Sequence, residues 1–176
     1  MSLYIDLLIL AELRSRPYHG YELKRQVEWI LGETLNSNHL YPALRRFEEM
    51  GAVVHEVERQ SGRPDRHVYH LTEQGEQVLH SLLREFPAAL AGNDREFQTR
   101  FAFFHLLDEA SRLAILTTRR AALLERLQHR QQALEALAGV CEQPQATYAR
   151  SLLELQIQQI QRELEWISTH IQRVQP

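Results

Sequence analysis

Residues 36–50 read NSNHLYPALRRFEEM. Their apolar members, Leu40, Ala43, Leu44, Phe47 and Met50, recur at steps of three and four and so fall on one stripe of a helix. The opposite face carries Asn38, Tyr41 and Arg45, with Arg46 beside them; Ser37 and His39 are counted with it. Amide, phenol and guanidinium groups on one side of a helix suit a DNA major groove. Asn fits an adenine edge, Arg a guanine or a phosphate, and Tyr a phosphate or a thymine methyl. Asn36 or Ser37 is the expected N-cap, and Gly51 ends the helix. Pro42 removes a backbone donor, but close to the N-terminus water or a ligand satisfies the freed carbonyl. Alone, the segment reads first as a surface helix with solvated arginines; its neighbours reverse that reading.

Upstream, residues 2–15 predict an almost wholly apolar first helix capped by Ser2 and ended by Arg16-Pro17. A turn at Tyr18-His19-Gly20 leads to a second helix ending near Leu31, with Leu23, Val27 and Ile30 buried, Lys24 facing water and Gly32 closing it. Downstream, the period switches to two over 52–58. A turn cluster at 60–65 follows, then a strand at 66–71, and Thr72 caps a helix over 73–86. Three helices, a strand, a tight turn, a strand and a helix make a winged helix-turn-helix. Arg63 and Arg66 at the wing, with Arg59 at its base, suit a phosphate backbone or a minor groove. Lys24 and Arg46 are further phosphate-contact candidates.

The second half begins with an expected linker over 87–92. Asn93 and Glu96 have capping-box spacing. Phe97, Phe101 and Phe104 make an aromatic stripe, and Asp108 caps a long helix to about residue 138, broken by Gly139 and Pro144. In the last helix Ile157, Ile160, Leu164, Ile167, Ile171 and Val174 alternate steps of three and four, a coiled-coil seam that needs a partner surface. The expected architecture is therefore mostly α. A winged helix-turn-helix domain over 1–86 precedes a coiled-coil-like helical dimerisation domain over 93–176.

Composition bounds the function. Seven Gly and six Pro in 176 residues favour helix. The single cysteine, Cys141, allows neither an intrachain disulfide nor a Cys-based zinc site and fits a reducing cytoplasm; a redox role for it has no supporting neighbour. The start MSLYIDLLIL lacks a basic region and a cleavage site, and no apolar run approaches the ~20 residues that span a bilayer. The net charge of −3 means that nucleic-acid binding must rest on a local basic patch. Among nine histidines, His67 and His70 point to opposite faces of their strand, and no Cys or carboxylate set completes a site with His55, so no metal is expected. Gly-rich phosphate loops, a nucleophile elbow and HExxH are missing, which argues against an enzyme and a cofactor. Trp29, Trp166 and the Phe97–Phe104 stripe are candidates to line a pocket for a small aromatic effector.

Five ordered segments carry a resemblance. They are His19-Gly20-Tyr21-Glu22-Leu23; Leu40-Tyr41-Pro42-Ala43-Leu44-Arg45-Arg46-Phe47-Glu48; Gly51; Gly62-Arg63-Pro64; and Tyr69-His70-Leu71-Thr72-Glu73-Gln74-Gly75. Together they resemble the PadR family of bacterial winged-helix transcriptional regulators. One departure is Asn38-His39, where many members have Gly-Thr. The resemblance implies a dimeric DNA binder, usually a repressor, with the third helix in the major groove and a helical C-terminal domain that dimerises. A two-fold pair of readers about 34 Å apart matches a pseudo-palindromic operator. A reading from another class, favoured by the net charge, makes the winged helix a protein-interaction module and the coiled coil a scaffold.

Overall fold

The computed structural model describes residues 3–59, 66–137 and 144–174. The expected Ser2 cap, the turn cluster at 60–65 with Arg63, and Gly139 and Cys141 lie outside them. In chain order the elements are α1 (Leu3–Ser15), β1 (Tyr18–His19), α2 (Gly20–Leu31), α3 (Ser37–Glu49), β2 (Val53–Glu58), β3 (Arg66–Leu71) and α4 (Glu73–Arg84). There follow α5 (Ala88–Ala91), α6 (Asp94–Ala102), a 3-10 turn at Phe104–Leu106, α7 (Glu109–Leu137) and α8 (Pro144–Val174). The chain divides into two units, Met1–Glu85 with Gln98–Leu107, and Phe86–Phe97 with Asp108–Pro176. No described helix is long and apolar enough to cross a membrane.

The first unit is a winged helix built around α1. Leu7, Leu8, Ile9 and Leu10 are all buried because α2, α3, α4 and β3 surround that helix. Opposite stripes close the core: Leu23, Val27 and Leu31 from α2, and Leu40, Ala43, Leu44 and Phe47 from α3. Two expected core residues lie further out. Ile30 and Met50 are partly exposed, because the buried line of α2 runs on to Leu31 and α3 ends before Met50.

The sheet order is β1-β3-β2, antiparallel throughout. Residues Tyr18 and His19, expected as part of a turn, pair with Tyr69 and Val68 as a short strand. A two-residue strand has no period to read; its existence depends on β3. In β2 only Val53 is buried, so the hairpin leaves the core almost at once. Thr72 ties its root. The hydroxyl donates to the Gly51 carbonyl at 2.7 Å and accepts from the Gly75 N–H at 3.0 Å, capping α4. A Cβ on Gly75 would stand 2.1 Å from the Ala52 carbonyl oxygen, so only glycine lets α4 reach this strand. Arg100 closes the other end of α4 by donating to the Leu82 and Glu85 carbonyls at 3.2 and 3.0 Å.

In the second unit α7 and α8 lie along each other, with Ile115, Leu116 and Leu123 against Ile160 and Ile167. The segment expected as a linker holds α5, which packs on α7 and buries Ala91. Both expected caps are present. Asn93 accepts from the Arg95 and Glu96 N–H groups at 3.0 and 3.3 Å, and Asp108 accepts from the Ser111 N–H at 2.7 Å. Arg119 is the organising charge. It is buried, and it donates to Glu163 at 2.8 and 3.0 Å, to Asp94 at 2.7 Å and to the Ala91 carbonyl at 2.7 Å, with its guanidinium 5.2 Å from the Phe97 ring centroid. Burial pushes the Asp94 carboxyl up, but the hydrogen bond and charge of Arg119, helped by Arg126, outweigh it and hold the group below its ordinary range.

Candidate nucleic-acid interface

Helix α3 is fixed on one side and open on the other. The Asn36 side chain accepts from the Asn38 N–H at 2.9 Å, which sets the start of the helix, and the His39 N–H donates to the Asn36 carbonyl at 2.9 Å. The four core residues of α3 then leave Asn38, His39, Tyr41 and Arg45 exposed. Pro42 stands inside the helix on the exposed side. Ser37 is the first helical residue.

The predicted cations separate into two groups. Arg46 reaches back to α1 and pairs with the buried Asp6 at 2.7 Å, with its guanidinium carbon 5.0 Å from the Phe47 ring centroid. Lys24 pairs with Glu28 at 3.6 Å, and Glu28 also accepts from the Leu35 N–H at 3.0 Å. Arg45 on α3 and Arg66 at the start of β3 are exposed and have no ion-pair partner among the described residues.

Next to α3 the wing presents aromatic and imidazole rings. His55 pairs with Glu48, and its ring lies edge-on to His67 with centroids 4.7 Å apart. The Tyr69 hydroxyl is raised above its ordinary value of 10.0 by burial, then by the nearby Glu48 and Tyr41, against a lowering by Arg45. It is therefore a neutral phenol at physiological pH, able to donate. The first turn of α2 comes close to both tyrosines: a Cβ on Gly20 would lie 3.2 Å from Tyr41 Cε1 and 3.3 Å from Tyr69 Cε2. The result is a groove of about 530 Å³ lined chiefly by His19, Tyr21, Arg25, Tyr41, Arg66 and His67. Tyr21 and Arg25 were not among the predicted contacts. The signal was available, since Tyr21, Arg25 and Trp29 are spaced by four on the side of α2 opposite Leu23 and Val27.

Of the predicted dimer seam, Ile160 and Ile167 are buried within this chain, and Ile157, Leu164, Ile171 and Val174 are half-buried. A different line on α8 is open: Tyr148, Leu152, Leu155 and Trp166 are 79%, 55%, 51% and 39% exposed. The rings proposed for an effector are dispersed. Trp29 is exposed on α2, Phe97 is buried between Phe86 and Trp166 at centroid distances of 6.3 and 6.4 Å, and Phe101 meets Phe104 at 4.7 Å with the rings tilted by 51°. Among the described residues no group of three or more His, Cys, Asp or Glu is placed to hold a metal ion.

Comparison with known proteins bears on the same region. Residues 9–81 match the Transcriptional regulator PadR-like family. The chain is 29% identical over 144 residues to the negative transcriptional regulator PadR of Bacillus subtilis, covering 79% of this chain and 74% of that protein. Among solved structures it is similar to Bacillus subtilis PadR in complex with operator DNA, at 21% identity, 96% and 98% coverage of the two chains and a TM-score of 0.44. It is also similar to a PadR family transcriptional regulator from Eggerthella lenta, at 32% identity, 44% and 66% coverage and a TM-score of 0.39. The residues that match this family, 9–81, hold α2, α3 and the described part of the wing, the same elements that build the exposed face and the groove.

Proposed function

We propose that the protein is a cytoplasmic, sequence-specific DNA-binding regulator that acts as a homodimer and represses. The observation that carries this is the division of α3: its apolar face is spent on the core, while Asn38, His39, Tyr41 and Arg45 are left to a ligand. Those side chains suit base edges and phosphates, and an exposed helix of this width fits a major groove. Arg66 sits where the wing would meet the backbone. Repression follows the relative from Bacillus subtilis, described as a negative regulator.

Pairing is supported by α8. Its open residues Tyr148, Leu152 and Leu155 follow steps of four and three, and Trp166 continues the line after Gln159 and Arg162. That is a second heptad line beside the one already packed on α7, and a second copy of the chain would cover it. A pair places two α3 helices on a pseudo-palindrome and compensates for weak half-sites. A small aromatic effector also belongs to the reading, with Trp166 as its candidate ring; calorimetry with aromatic ligands, repeated in the presence of DNA, tests it.

The deciding experiment is a salt-titrated gel shift on the DNA upstream of the protein's own coding region, with sedimentation of the same sample. The expected result is a dimer whose log affinity falls with log salt at about 0.9 per phosphate contacted. A flat response, or no retention at low salt, hands the winged helix to the protein-interaction reading.

A further inference from the structure

We infer that the groove between the start of α2 and the base of the wing is a phosphate-backbone seat, and that Arg25 and Arg66 are the cations that fill it. The inference rests on the DNA-binding reading and adds a contact to it.

Chemistry separates this groove from the rest of the surface. Two guanidinium groups line it from different elements, Arg25 from α2 and Arg66 from β3, and neither has an ion-pair partner among the described residues. The Arg25 guanidinium carbon lies 5.8 Å from the Tyr21 ring centroid, within cation–π reach, and no hydrogen bond among the described residues takes up its N–H donors. Among the described residues Glu22 is the one carboxylate in the lining, 3.9 Å from Arg16, and Glu58 stands beside the groove, 3.7 Å from His19. Hydroxyl groups of Tyr21, Tyr41 and Tyr69 and the imidazole rings of His19 and His67 add hydrogen-bond donors. Such a lining is complementary to a phosphodiester, which carries one charge and several acceptors. Tyr41 belongs both to this groove and to the open face of α3, so a strand seated here is continuous with a duplex read by Asn38 and Arg45.

The same geometry ranks the cations. Lys24, adjacent to Arg25 in sequence, is engaged by Glu28, and Arg46 by Asp6. A cation already neutralised by a carboxylate releases few counterions on binding DNA, whereas an open one contributes a full contact to the salt slope.

The test is fluorescence anisotropy of the full chain on an operator fragment and on a scrambled duplex across a salt series. The proteins are wild type, Arg25→Ala, Arg25→Gln and Lys24→Ala, each checked by circular dichroism. Both Arg25 variants are expected to weaken operator and scrambled duplex by the same factor, about tenfold at low salt, and to reduce the salt slope by about one. Lys24→Ala is expected to leave the slope unchanged. Folded Arg25 variants with wild-type affinity and slope, beside a wild type that binds DNA, overturn the seat and leave the DNA-binding reading standing. A wild type with no salt-dependent binding overturns that reading itself. Saturation of the groove by inorganic phosphate, followed through the His67 ring resonances, with DNA affinity insensitive to Arg25, would make it a small-anion pocket and sink the inference.

Discussion

The two units use arginine differently. In the first, Arg25, Arg45 and Arg66 remain open on the surface, Arg46 matches the buried Asp6, and the fully buried Arg100 donates to backbone carbonyls at the end of α4. In the second, an arginine is the core: Arg119 gathers two carboxylates, a carbonyl and an aromatic ring around one buried guanidinium. The chain has 20 Lys and Arg against 23 Asp and Glu, so its overall balance says nothing about DNA. What matters is which cations the fold has already neutralised.

The comparison breaks most visibly at Arg119. Arg119→Ala empties a buried site and leaves the Ala91 carbonyl and the part-exposed Glu163 and Asp94 without their donor, and should lower unfolding free energy by about 1–3 kcal/mol. Its exposed neighbour tested as Arg120→Ala should move stability by less than about 0.5 kcal/mol. Thermal melts of the two variants check the difference; equal melts would mean that the buried cluster carries no weight. Arg45→Ala should reverse the pattern. Its fold should melt as wild type while specific operator binding weakens by about 1–3 kcal/mol, as measured by competition against scrambled duplex. Arg46→Ala sharpens the line between the two kinds. It leaves the Asp6 carboxylate buried without its guanidinium, so stability should fall by about 1–2 kcal/mol, with the salt slope of DNA binding unchanged.

The smallest effect is on pH. The Asp94 carboxyl titrates lower in the folded unit than in the unfolded chain, where it has its ordinary value near 3.8. Its contribution is therefore complete above that range and fades as pH falls through the lower folded value. Denaturation followed between about pH 5 and pH 2 should show an acid-labile component that Asp94→Asn removes.

How far the sequence could be read depended on where each residue's partner lies. Helix α3 was legible because its steps of three and four, its cap and Gly51 are all local. Strand β1 was not, since only pairing with β3 makes it a strand. Arg46 and Arg45 are adjacent and chemically identical on paper; what separates them is Asp6, in another helix. Arg119 reads as one more solvated arginine until Asp94 and Glu163 are brought to it. The spacing in α8 did reveal a seam, but a spacing does not say whose surface closes it. Helix α7 of the same chain takes Ile160 and Ile167, and the Tyr148–Leu155 line, interrupted further on by Gln159 and Arg162, went unread.

Gly75 has a mechanical consequence. Where α4 meets the strand after α3, the gap is too narrow for a single methyl group, so that contact is the fulcrum on which the hairpin is set. Gly75→Ala would drive a wedge into it and tilt the hairpin while altering the chemistry of no DNA-facing side chain. Loss of grip in such a variant would be a fault of aim.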